Sequence, residues 1–193
     1  LDLLGVAAAA PAGELTQILG KQWDTLIGWV IGAEVLRSWP LQYPNLPTTE
    51  ILTRSGQKNY DRLAQDCIKD AALEAEIRAN AFNEQFFSSN PSDNPAWVAA
   101  LTEQTPPPFP ADMPLLLIQG TADKVVLPQP NAYLQRTWCE AGAQINALWL
   151  GGVGHMPAAA IAGPTAVSWL QEIFDGNTPT SSCGGPIPVL PPL

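Results

Sequence analysis

The sequence predicts an α/β fold: a parallel sheet interrupted by a large, mostly helical insertion. Three observations carry this. Short unbroken apolar runs, each closed by Gly or Pro, recur at residues 3–10, 114–119 and 144–150. Runs of that length suit strands buried on both faces of a parallel sheet. Segments with a helical period separate the last two runs, follow the third, and fill much of residues 14–112. The resulting order (strand, long insertion, strand, helix, strand, helix) implies right-handed crossovers onto one sheet.

Taken in order, the strand at 3–10 ends at Pro11-Ala12-Gly13. Within the insertion, 15–39 reads as a helix with apolar residues almost all round, among them Leu15, Leu19, Trp23, Ile27 and Leu36. Residues 60–70 and 71–87 carry a helical period with charged faces. Pro91 and Pro95 break it, and 96–104 forms a further short helix. Pro106-Pro107-Pro108-Phe109-Pro110 then leads stiffly back to the sheet. The strand at 114–119 ends at Gly120. The helix at 129–142 has Pro128 and Pro130 at its start and Gly142 at its end. The strand at 144–150 alternates more, as near an edge, and ends at Gly151-Gly152. A last helix is expected at 158–174 despite Gly163-Pro164. This divides the chain into a core (1–13 and 113–175), a helical cap or lid (14–112) and a proline-rich tail or flap (176–193) that has to be irregular or extended.

Composition narrows the function. With 46% hydrophobic residues the chain has enough apolar material for a packed core. The formal net charge of -9, with only 9 Lys and Arg, argues against nucleic acid or an anionic membrane surface as partner. The apolar stretches are broken well short of a membrane span, so no stable membrane insertion is expected. Leu1-Asp2-Leu3-Leu4 lacks the basic start of a leader, and the chain reads as opening within a fold. Three cysteines are too few for a disulfide scaffold. A staple from Cys139, on a helix, to Cys183, in the tail, is feasible and leaves Cys67 over, and spacing alone leaves open whether it is a buried free thiol. No CxxC pair occurs, and neither a metal nor another cofactor is suggested.

The only histidine decides the chemistry. His155 follows Gly151-Gly152-Val153-Gly154 on the exit from one strand, and Asp123 follows Gln119-Gly120-Thr121-Ala122 on the exit from another. An acid and then a histidine, each leaving a parallel strand, is the second half of a Ser-Asp-His triad in the chain order of α/β-hydrolases. His155 is expected as general base and Asp123 as the group that orients it. Of the nearby acids, Glu140 lies on a helix and Asp112 precedes its strand. No Gly-x-Ser-x-Gly occurs. Ser38, Ser55, Ser88, Ser89 and Ser92 fall in the cap, Ser168 on the last helix, and Ser181 and Ser182 in the tail, so none stands on a strand-to-helix elbow. The chain therefore reads as the carboxyl-terminal portion of a hydrolase whose nucleophile lies upstream, and as inactive alone. Trp23, Trp29 and Trp39 have two readings: burial within the cap, or an acyl-binding surface that desolvates a lipid chain.

These motifs carry a resemblance. Cys139-Glu-Ala-Gly-Ala-Gln-Ile-Asn, Gly154-His155, Phe174-Asp175-Gly176-Asn177-Thr178-Pro179 and Cys183-Gly184-Gly185-Pro186-Ile187-Pro188 together resemble the carboxyl-terminal end of the secretory lipase family, of the fungal lipase A type. Gly120-Thr121-Ala122-Asp123-Lys124-Val125-Val126 is similar to its acid loop, and Gly5-Val6-Ala7 to the strand after its nucleophile helix. The resemblance spans essentially the whole chain, most densely after residue 113. It implies Asp123 and His155 as triad acid and base, a Cys139–Cys183 disulfide, and a cap that forms the acyl pocket with the tail as a flap near its mouth. It also implies a pairing of Cys67 with the amino-terminal half of the same protein, and secretion.

The function expected is thus hydrolysis of carboxylic esters, most readily lipid acyl esters or small esters. Alternatives of the same fold are a peptidase, an acyltransferase, or a non-catalytic lipid-binding or interaction module. A further expectation concerns the strand at 3–10. Its far edge faces the place of the nucleophile's strand, and an unpaired apolar edge invites aggregation. The chain is therefore expected to be stable only beside its amino-terminal half.

Overall fold

The computed structural model describes residues 2–65 and 84–190. The chain divides into two compact units: Leu15–Thr105, and Leu1–Glu14 together with Pro106–Leu193.

The first unit is helical. It holds α1 (Leu15–Gln22), α2 (Leu26–Ser38), α3 (Arg54–Leu63) and α4 (Pro95–Gln104), with short 3-10 turns at Trp39–Leu41, Thr49–Ile51 and Pro91–Asp93. The single helix expected at 15–39 is broken. The backbone turns at Trp23 to Thr25, and Thr25 caps α2 by accepting the Ile27 N–H at 3.2 Å. Gly28 makes the break possible, because a Cβ there would stand 2.2 Å from the Trp23 carbonyl oxygen. α3 starts earlier than the expected 60–70 because Thr53 caps it, its hydroxyl accepting from Gly56 N at 3.0 Å. Most of the helix expected at 71–87, and Cys67, lie outside the described residues. Its described end is not helical. Phe87 forms an antiparallel bridge with Leu52, Thr53 N donates to Phe86 O at 3.0 Å and Ser88 N to Ile51 O at 2.7 Å. Both rings are fully buried.

Those rings belong to an aromatic core. Phe86 and Phe87 stand edge-on at 5.0 Å, Phe86 packs on Trp29 at 5.2 Å, and Trp39 stacks on Trp97 at 5.8 Å. Each fully buried aromatic contributes on the order of 2–3 kcal/mol through removal of apolar surface from water. The indole N–H groups are satisfied within the unit, Trp29 by Glu84 O at 3.2 Å and Trp97 by Pro47 O at 2.8 Å.

The second unit is a three-stranded parallel sheet of β1 (Val6–Ala9), β2 (Leu115–Gly120) and β3 (Ile145–Leu150), in that spatial order. Two helices, α5 (Pro128–Glu140) and α6 (His155–Phe174), pack against it. β2 is buried at every residue, which is why it reads Leu-Leu-Leu-Ile without alternation. Leu115 and Leu117 pack with Leu134 and Trp138 of α5, and Leu116 and Ile118 with Ala162 and Trp169 of α6. β1 begins at Val6 rather than at residue 3. The residue before β2 is Pro114, which has no N–H to extend the ladder, and Leu3 and Leu4 are exposed. α6 begins at His155, three residues before the expected start, and runs through Pro164.

The tail is fixed where it passes β3. Ser182 N donates to Ile145 O at 2.6 Å, the Ser182 hydroxyl accepts from Ala147 N at 2.9 Å, and Asn146 Nδ2 donates to Thr180 O at 2.7 Å. These bonds cover the open edge of β3. Cys183 is joined to Cys139 by a disulfide with a Cα–Cα separation of 5.4 Å. Thr180–Cys183 therefore sits at the amino end of β3, opposite to the end from which His155 follows. The tail expected as a flap is thus tied to β3 and α5 at Thr180–Cys183. Among the described residues no helix is long and apolar enough to cross a membrane.

Candidate active site

The carboxyl ends of β2 and β3 are stitched together by their exit loops. Thr121 N donates to Leu150 O at 2.9 Å, Ala122 N to Val153 O at 3.0 Å, and Gly152 N to the Thr121 hydroxyl at 2.8 Å. The two exit loops come so close that a Cβ on Gly120 would lie 2.2 Å from the Val153 carbonyl oxygen. Only glycine fits there, and any side chain would push the histidine loop away.

On this frame Asp123 and His155 meet. Asp123 is buried, its side chain fully so, and its Oδ2 lies 2.9 Å from His155 Nδ1. The other oxygen, Oδ1, accepts the backbone N–H groups of Val125 at 2.8 Å and Val126 at 3.0 Å. An ionised carboxylate is acceptor-only, so it holds the proton of neutral imidazole on Nδ1 and leaves the lone pair on Nε2. The His155 side chain is 30% exposed, open enough to meet a further group while its Nδ1 side is held. His155 stands at the first position of α6, with Gly154 as cap, rather than on a free loop. Its backbone is thus anchored by the helix it starts.

The other residues singled out from sequence lie elsewhere. Asp112 is exposed ahead of β2, and Glu140 is exposed at the end of α5. Ser181 and Ser182 bond to the amino end of β3. Ser168 stands 13 residues along α6 from His155, about 20 Å at 1.5 Å per residue. Trp29 is interior to the helical unit at 2% exposure, and Trp23 and Trp39 are half-buried against the same cluster.

Two buried residues at the site were not singled out from the sequence. The Gln119 side-chain amide nitrogen lies 3.4 Å from Asp123 Oδ2, 3.2 Å from Val126 O and 3.0 Å from Gly120 O. Its oxygen accepts from Asn131 Nδ2 of α5 at 2.5 Å. The signal was present: a glutamine closing an otherwise aliphatic strand, four residues before the acid.

Known proteins resemble the chain in sequence and in fold. The family model described as Secretory lipase matches residues 1–182. The chain belongs to the secretory lipase family. Lipase 2 of Candida albicans is 24% identical over 201 residues, covering 94% of this chain and 41% of that protein. The X-ray structure of Candida antarctica lipase A superposes with a TM-score of 0.69 at 18% identity, over 97% of this chain and 45% of that one. The rice cell wall degrading esterase LipA from Xanthomonas oryzae superposes with a TM-score of 0.65 at 14% identity, over 90% of this chain and 51% of that one. This member of the secretory lipase family thus shares its fold with α/β-hydrolase lipases and esterases, and it spans about half or less of the length of each of these relatives.

Proposed function

We propose that the chain is the carboxyl-terminal part of a secreted serine hydrolase of carboxylic esters that acts on lipid acyl esters. Asp123 and His155 are the acid and base of its triad, and the serine stands on a segment outside these 193 residues. One observation carries the reading: a buried carboxylate, held by two backbone N–H groups, lies 2.9 Å from the Nδ1 of a half-open imidazole. Family membership supports the substrate class. The disulfide suits an oxidising, extracellular setting.

The chemistry follows from the geometry. The serine hydroxyl gives its proton to His155 Nε2 as its oxygen bonds to the ester carbonyl carbon. The imidazolium formed is stabilised by Asp123, and it returns the proton to the departing alkoxide as the ester C–O bond breaks. Water, deprotonated by the same nitrogen, then cleaves the acyl-enzyme and releases the acid. β1 is bonded to β2 along one edge. Its small apolar residues suit the inside of a wider sheet, and its other edge is assigned to the strand that leads to the serine. Acyl binding is assigned to the helical unit, where Trp29 is core and Trp23 and Trp39 are half-buried against it.

The test is turnover of p-nitrophenyl esters of increasing chain length by the intact protein. The reading expects cleavage that His155→Ala abolishes and that persists on long acyl chains. Unchanged turnover in His155→Ala rejects the triad. Activity confined to peptides or to acyl transfer, or acyl-chain binding without turnover, moves the chain to one of the other readings.

A further inference from the structure

Gln119 and Asn131 are both fully buried, and each is a costly choice. An amide moved from water into an aliphatic core is unfavourable unless its hydrogen bonds are replaced, and an apolar pair of similar size avoids that cost. Leu115 and Leu117, on the same face of β2, show what that face otherwise carries. The amide pair sits where β2 runs into the Asp123 loop.

Their orientation is dictated by what surrounds them. Three oxygens face one end of the Gln119 side chain: Gly120 O, Val126 O and Asp123 Oδ2. That end must be the amide nitrogen, because an oxygen there would meet three acceptors. The Gln119 oxygen therefore faces α5, where Asn131 must present its own nitrogen. Flipping either side chain alone would set oxygen against oxygen, while in the arrangement present Asn131 Oδ1 has no hydrogen-bond partner.

Gln119 consequently acts on Asp123 by two routes. It donates toward Oδ2, the oxygen that holds His155, through its longest contact at 3.4 Å. It also donates to the carbonyl of Val126, whose own N–H holds Oδ1. One route reaches the carboxylate, the other the loop that cradles it. We infer that Gln119, locked in place by Asn131, is a positioning residue that sets the rotation of the Asp123 carboxylate and thereby the tautomer of His155.

The consequence for turnover rests on the hydrolase reading above; the consequence for the tautomer does not. The experiment uses the intact protein labelled with [15N]histidine, with the His155 signals assigned by their loss in His155→Gln. Wild type is expected to show Nδ1 protonated and Nε2 bare. In Gln119→Met, a mixture containing the Nε2–H tautomer is expected. For a p-nitrophenyl ester, kcat should fall about tenfold or more with KM nearly unchanged, as small misplacements of catalytic groups do. Gln119→Met leaves the Asn131 amide unpaired and risks unfolding. The double variant Gln119→Met/Asn131→Leu removes both partners together, should retain a cooperative melt, and is expected to show the same change of tautomer. Wild-type tautomer and kcat in folded variants would overturn the inference while leaving the hydrolase intact. A shifted tautomer in a protein that cleaves no ester at all would uphold the positioning role and reject the hydrolase reading.

Discussion

The two units of this chain solve the burial of polar groups in opposite ways. The helical unit buries aromatic side chains and satisfies the indole N–H of its two fully buried tryptophans locally, Trp29 on Glu84 O and Trp97 on Pro47 O. Its polar atoms serve its packing. The sheet unit has mainly aliphatic strands and gathers Gln119, Asp123 and Asn131 at one end, where β2 gives way to the exit loops. These three converge on a single carboxylate and the histidine beside it, while Gln135, also buried, accepts from the Trp149 indole at 2.8 Å. Burial of a polar group is informative about function only when its partners converge on one point, as they do in the second unit.

The largest effect should separate activity from packing. His155→Ala is expected to reduce ester turnover by the intact protein by about 10³-fold or more, while the protein still melts cooperatively, its melting temperature lowered by the loss of one hydrogen bond at Asp123 Oδ2. Kinetics and a thermal melt on the same sample check both halves. Trp97→Ala should behave conversely. The indole is fully buried, and its removal is expected to destabilise the helical unit by about 3–5 kcal/mol. Hydrogen exchange should then quicken in α2 and α4 and stay slow in β2. Equal loosening of both units would erase the contrast drawn here.

Cys183→Ser sharpens the comparison within the sheet unit. The disulfide closes a loop with a sequence separation of 44 and lies at the amino end of β3. Its loss should cost about 2–4 kcal/mol of stability and expose the Ala147 amide to exchange, while ester turnover persists at temperatures where the protein stays folded. The smallest effect concerns Glu14. Burial raises its carboxyl above the ordinary carboxylate value, so the folded state binds this proton more tightly than the unfolded chain. That contribution favours folding at low pH and is lost as pH rises through the folded value. Glu14→Gln should therefore raise the melting temperature slightly at neutral pH and not at acid pH.

Much of the sheet unit was legible because periodicity and position coincide there. β2 and β3 lie within one residue of the apolar runs that announced them, and Asp123 and His155 were readable as strand-exit residues in the right order. The start of β1 was not, because hydropathy extends the run to Leu3, whereas the ladder stops at a proline on the neighbouring strand. In the helical unit the break at Trp23 to Thr25 depends on a carbonyl folding over Gly28, a tertiary fact that an all-round apolar pattern conceals. Phe86 and Phe87 read as helical because their neighbours do, yet Phe87 bridges to Leu52 and both rings pack into the aromatic core. Asn131 was invisible for another reason: a single polar residue on a helix names its partner only once the opposite strand is in place.

The most direct measurement is covalent labelling of the intact protein with a fluorophosphonate, followed by mass spectrometric location of the adduct. The account predicts one labelled serine, on a segment outside residues 1–193, with a labelling rate that collapses in His155→Ala and falls in Asp123→Asn. Labelling that ignores both substitutions, or that falls on a serine within this sequence, would contradict it.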